Sequence, residues 1–171
     1  MASIGHVAIG LAARRFYERG VSARWAAVTG AVVWSALSLL PDADVIAFRL
    51  GIPYEAVWGH RGATHSLGFA AGAALLAALV ARLAKLPVLR TTAVAFAVVA
   101  SHGLADALTD GGLGAALLWP FSDERFFAPW TPIPVAPIGR RFLSMRGLRV
   151  AAVELLLFAP FFLYGLWPRR R

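Results

Sequence analysis

The side chains of this chain that can do chemistry gather in a few short stretches. In SHGLADALTDGG, residues 101–112, His102 and Asp106 are four apart and share one helical face, with Asp110 one turn further along. A histidine and a carboxylate at that spacing can chelate one cation from a single helix, as the two histidines of a His-Glu-x-x-His helix do. GHRGATHSLG, residues 59–68, supplies His60, Arg61, Thr64 and His65. Neutral imidazoles suit a divalent cation and the planar Arg61 fork suits a phosphate. Thr64 is expected to cap the following helix, with His65 in its first turn. LLPDADV, residues 39–45, adds Asp42 and Asp44. Pro41 disfavours helical geometry at Leu40, and an extended step after it would turn both carboxylates to one side. His6 is the remaining histidine. Taken singly, each stretch also reads as a polar helix exit, an interfacial loop or an internal His–Asp hydrogen bond. Their relative placement decides between these readings.

That placement follows from the apolar segments. The chain is 59% hydrophobic and only 15% charged, the composition of a membrane protein. Apolar runs occupy 25–40, 67–81, 91–108 and 150–167, and a first helix is expected over 3–17. The expectation is an all-α integral-membrane bundle of about five helices, forming one domain over residues 1–171. Most runs are shorter than the roughly 20 residues that span a bilayer, so flanking residues must contribute. The N-terminus lacks a basic region and cleavage site, which argues against a removed signal peptide. With no cysteine, any metal must be held by nitrogen and oxygen.

Basic residues fall at alternate ends of these segments. Arg14, Arg15, Arg19 and Arg24 lie after the first, Arg82, Lys85 and Arg90 after the third, and Arg169 to Arg171 at the C-terminus. The positive-inside rule places those ends in the cytoplasm, with the N-terminus outside and the C-terminus inside. Arg49, Arg61, Arg125, Arg140, Arg141, Arg146 and Arg149 then fall on the outer side, and so do all four histidines with Asp42, Asp44, Asp106 and Asp110. Ionisable groups kept near membrane depth face a cavity, pair with each other or mark a pathway, so the expected site is polar and one-sided. A net charge of +8 divided among membrane flanks predicts no nucleic-acid partner. The segment 117–139, rich in proline and aromatic residues, cannot be a regular spanning helix. It reads as an interfacial belt, a lid over the site or a guide for an acyl chain.

With GHxxxG near the start, then LLPDAD, GHRGATHS, SHGLADALTDGG and LLWPFSDERF in this order, residues 1–135 resemble the YdjM-like family of bacterial inner-membrane metal-dependent hydrolases, also described as LexA-binding hydrolases. The resemblance implies a distant relation to zinc-dependent phospholipase C and the S1/P1 nucleases. By motif it assigns metal-binding places to His6, Asp42 or Asp44, His60 or His65, and His102 with Asp106. No later His-x-x-x-Glu pair follows, so one or two zinc ions are implied rather than three.

The expected function is hydrolysis of a phosphoester in a lipid, a lipid-linked or another phosphorylated substrate, at the outer face of a bacterial inner membrane. His65, His102, Asp106 and one of Asp42 or Asp44 would hold zinc, the other aspartate would orient or deprotonate water, and Arg61 would steady the phosphate. Thr64 and Asp110 would support these groups without touching the metal. The alternative is a metal-ion or proton transporter built on the same cluster. A transporter should carry polar residues along a path through both halves of the bilayer, whereas the inner halves here are Ala, Val, Leu and Phe apart from Thr29, Thr91 and Thr92.

Overall fold

The computed structural model describes residues 3–18 and 24–168. Its elements are α1 (Ser3–Tyr17), α2 (Arg24–Leu39), α3 (Ile46–Arg49), α4 (Leu67–Leu83), α5 (Val88–Ala107), α6 (Met145–Leu157) and α7 (Ala159–Leu166), with short 3-10 turns between some of them. Among the described residues there is no sheet; two isolated β-bridges tie the long loop after α5. The all-helical expectation holds. Val28–Arg49 and Val88–Ala107 are long and apolar enough to cross a membrane, and α6 with α7 forms a third span if the bent pair counts as one. The 15 residues of α1 and the 17 of α4 fall short of a full crossing.

The packing is the reverse of that in a water-soluble bundle. On α4 the buried residues are Ala70, Ala74 and Ala81, whereas Leu83 is 75% exposed and Leu89 at the start of α5 is 84% exposed. Small residues let α4 lie against α5, whose Val94, Ala95, Val98 and Val99 fill the seam with Trp34 of α2. Large apolar side chains face outward, where lipid tails receive them as readily as a core would. At Gly10 the backbones of α1 and α2 come so close that a Cβ would lie 2.5 Å from the Cα of Ser35.

Two expectations about proline need correction. Pro41 does not start an extended step. It occupies the first turn of a 3-10 helix, Leu40–Val45, that carries the chain on into α3, because a proline at a helix start gives up no hydrogen bond that the helix would have used. The run 150–167 is not one helix: Pro160 breaks it, and α6 and α7 meet at 63°. A proline inside a helix lacks the N–H for its i−4 bond and crowds that carbonyl. The 91–108 segment also starts earlier than expected, at Val88, directly after Pro87.

Chain direction then sorts the molecule into two ends. The beginnings of α1, α4 and α6 lie with the ends of α2 and α5. At the opposite end basic residues bond across helices: Arg90 donates to the carbonyl of Phe16, Arg14 to that of Gly165 and Arg15 to that of Trp167. Arg19 and Arg169 to Arg171 lie outside the described residues. In this cysteine-free chain, Lys85→Cys and Phe121→Cys place single thiols at exposed positions at opposite ends. A membrane-impermeant maleimide applied to sealed vesicles should label one and spare the other, and labelling of both from the same side would refute the arrangement.

Candidate metal centre

Helix α5 carries His102 and Asp106 on its buried face, as their spacing requires. The turn before α4 brings in His65, the 3-10 helix after α2 brings in Asp42, and α1 brings in His6. His65 Nε2 lies 3.2 Å from Asp106 Oδ2, and His102 Nε2 lies 3.3 Å from Asp42 Oδ1. Asp42, His65, His102 and Asp106 each offer one ligand atom, and all four atoms lie within 4.8 Å of one another. His6 stacks on His102, with ring centroids 3.5 Å apart and planes 6° from parallel, and its Nε2 lies 4.0 Å from Asp106 Oδ1. His6, His102, His65 and Asp106 are buried, while Asp42 keeps a 24% exposed side chain.

The outer partners of these groups set their orientation. His102 Nδ1 lies 2.7 Å from the carbonyl of Ser38; a carbonyl only accepts, so Nδ1 carries the proton and the Nε2 lone pair faces the cluster. Asp44 accepts from Thr64 Oγ1 at 2.6 Å and from the Arg61 backbone N–H at 3.2 Å. Its other oxygen lies 2.7 Å from His60 Nδ1, and His65 Nδ1 is 3.2 Å from Oδ2. Asp44, His60 and His65 thus form a second group able to hold a cation. Burial by itself pushes the His65 imidazole down, but the carboxylates of Asp106, Asp42 and Asp44 close around it outweigh that and raise it to about 10.

The donor set fits a divalent cation on one structural ground. His6 Nδ1 and Nε2, His65 Nε2 and His102 Nε2 are buried ring nitrogens that make no hydrogen bond, although carboxylate oxygens lie close to three of them. Buried polar atoms left without a partner call for an explanation, and imidazole nitrogens with carboxylate oxygens around one point are the ligands that zinc and similar ions take.

Several assignments change. Arg61 is not a free fork. It is buried at φ 63°, its Nε is 3.2 Å and its Nη2 3.4 Å from the two oxygens of Asp106, and Nη1 donates to Thr109 Oγ1 and to the carbonyl of Gly111. Thr64 does not cap α4; Ser66 does, accepting from the N–H of Phe69, because Thr64 is spent on Asp44. His65 ends a 3-10 turn ahead of α4 rather than standing in its first turn. Asp42 and Asp44 do not share one point, since two residues along a 3-10 helix differ by about 240° in direction. Asp110 is exposed and accepts from the N–H of Val135, because α5 has already ended at Ala107 and the helical stripe no longer applies. Gly111 and Gly112 therefore lie beyond the helix end. A Cβ at Gly112, φ +87°, would come within 2.7 Å of the Tyr54 hydroxyl and 3.1 Å of Arg61 Nη1.

Other contributors had no signal in residue type. Arg125 donates to the carbonyls of His60, Tyr54 and Ala56, pinning the histidine loop from the far side. The Ser38 carbonyl is a backbone group. The segment after α5 closes over the cluster through the bridges Thr109–Ile133 and Ala115–Phe126, with Ile133 buried against Ala8, Ala105 and Phe158. Its Val135–Gly139 stretch walls a cavity of about 390 Å³ that Asp42, Tyr54, His60 and Arg61 also line. The outer residues Trp58, Phe121 and Trp130 are exposed.

Fold and site together define an all-helical membrane protein with a buried His/Asp cluster, able to hold a metal ion, at one end of its bundle. The chain belongs to the family described as YdjM inner membrane protein, whose sequence profile matches residues 1–170. It is 44% identical over 140 residues to the inner membrane protein YbcI of Escherichia coli (strain K12), a match covering 79% of this chain and 81% of that protein. No solved structure matches it.

Two substitutions probe how the site is held. A Cβ at Gly103 would fall 1.9 Å from the carbonyl of His65, so Gly103→Val should displace that loop and weaken metal retention by at least about tenfold, as loss of an orienting partner does, although no ligand is removed. Isothermal titration with Zn²⁺ would measure it. Arg61→Ala removes the guanidinium that reaches both oxygens of the buried Asp106 carboxylate and should cost roughly 3–5 kcal/mol of stability, read as a lowered midpoint of unfolding in detergent; an unchanged midpoint would refute the pairing.

Proposed function

We propose that this protein is a membrane-bound metal-dependent hydrolase that acts on a phosphoester of a lipid or lipid-linked substrate, with one zinc ion as its working metal. The observation that carries the reading is the set of buried, unbonded imidazole nitrogens of His6, His65 and His102 gathered with Asp42 and Asp106 beside an accessible cavity. His65, His102, Asp42 and Asp106 are the proposed ligands, with His6 completing the shell.

When bound, the metal supplies Lewis acidity at a phosphoryl oxygen and acidifies water. The remaining roles belong to the chain. Asp44, fixed by Thr64 and the Arg61 N–H, orients His60 toward the cavity and His65 toward the ligand group. Arg61 clamps Asp106 and, with Nη1 spent on Thr109 and Gly111, keeps one Nη2 hydrogen for a substrate oxygen. Tyr54 stacks on His60 at 5.4 Å and forms a wall of the cavity. The outer face of the inner membrane is the proposed location of this end.

Transport is the weaker reading. Between the cluster and the opposite end Trp34, Ala74, Val94, Ala95 and Val98 are buried together, an apolar plug that offers no ligand, among its described residues, to an ion in transit.

The test measures metal content and phosphodiesterase activity on the same preparations. His102→Gln and Asp106→Asn should lose bound zinc and hydrolysis of bis(p-nitrophenyl) phosphate together, and zinc should no longer raise their unfolding temperature. Asp110→Asn should retain all three. Wild-type protein that binds no divalent metal, with variants matching it throughout, would end the hydrolase reading.

A further inference from the structure

The region between the cavity wall and α6 carries a concentration of positive charge for which the metal centre has no use. Arg140, Arg141 and Arg146 line a recess of about 800 Å³ together with Pro137, Ile138 and Ser144. All three arginines are exposed, and their guanidinium groups make no ion pair or hydrogen bond among the described residues. The chain has no acidic residue between Glu124 and Glu154, so local sequence offers no counter-charge. Arg149 follows Arg146 on α6 and adds to the same field.

The recess has two further properties. Bulky apolar side chains surround it: Leu143 is 86% and Met145 80% exposed, with Ile138 and Leu148 also exposed. Arginines among exposed leucine and methionine suit the boundary where headgroups meet acyl chains, because the guanidinium groups can reach phosphate while the apolar groups enter the hydrocarbon. The recess also adjoins the metal cavity, since Pro137 and Ile138 form part of the lining of both.

We infer that the Arg140–Arg141–Arg146 recess binds the phosphate of an anionic phospholipid headgroup and presents it to the neighbouring cavity over the Pro137–Ile138 wall. Capture stands by itself; only the presentation step rests on the hydrolase reading. Guanidinium forks pair with phosphate oxygens bidentately, and three unpaired forks about one recess outmatch what a zwitterionic headgroup, with its own ammonium, needs. This also gives a reason for arginines on an end of the bundle that topology alone would leave less basic.

The experiment uses the full chain in detergent and scores retained lipid by native mass spectrometry, with phosphatidylglycerol and phosphatidylcholine offered in equal amounts. Wild-type protein should retain phosphatidylglycerol selectively, in zinc-loaded and chelator-treated samples alike. The triple variant R140Q/R141Q/R146Q should lose roughly a hundredfold in affinity, at about fivefold for each basic residue, with its zinc content unchanged. A control, R82Q/K85Q, removes charge from the opposite end and should retain phosphatidylglycerol as wild type does. Equal retention of the two lipids, undiminished binding by the triple variant, or an equal loss in the control would overturn the proposal. Displacement of phosphatidylglycerol by low millimolar inorganic phosphate would overturn the lipid assignment in favour of a free-phosphate site. If retention behaves as expected but no preparation hydrolyses phosphodiesters, the recess stands and the hydrolase reading falls.

Discussion

The Asp106 carboxylate is the constraint around which this end of the molecule is built. It is buried near the end of an apolar helix, where an uncompensated charge would cost several kcal/mol. Compensation comes from elements remote in sequence: the Arg61 guanidinium reaches both its oxygens, and His65 approaches one of them. For Arg61 to reach Asp106 the loop before α4 must turn through a left-handed residue, Gly112 must leave room for the guanidinium, and Arg125 must hold the loop's carbonyls. The tightly specified loops of this protein are thus consequences of one buried charge.

The bundle meets that demand through close backbone approach. Alanine on α4 and glycine at Gly10 and Gly103 bring helices and loops within a distance that larger side chains would forbid. In lipid the outward-facing leucines provide little drive for association, so contact between backbones and internal hydrogen bonding carry more of the specificity. The same closeness puts the Ser38 carbonyl against His102 and the His65 carbonyl against α5. Ligand orientation and helix packing are therefore one problem here. The irregular 108–138 segment solves the rest: unable to be a helix, it satisfies its backbone groups through two bridges and through bonds to Arg61, Leu67 and Ala107, as membrane-depth backbone must.

The His/Asp cluster lies at one end, with an apolar plug behind it, and the cavity beside it shares a wall with the arginine recess. This arrangement suits a protein that meets its ligand at the bilayer surface rather than one that passes a ligand through.

Much of this was legible in the chain. Composition implied the membrane and apolar runs located the helices, because burial in lipid demands local hydrophobicity that any window of sequence displays. The spacing of His102 and Asp106 placed them on one face because a helix has a fixed period. The grouping of His65, Asp42 and His6 with them followed from helix direction. Other features were decided by tertiary structure alone. Whether Asp42 and Asp44 shared one point depended on how Pro41 was accommodated, and a proline can end a helix or begin one. Arg61 was free or committed according to what lay opposite it, and Asp106, 45 residues away, claimed it. Thr64 and Asp110 have the right types for cap and support, yet a short polar side chain bonds whichever group the fold brings nearest. Helical period is a property of neighbours in the chain, whereas the pairing of a buried charge is a property of neighbours in space.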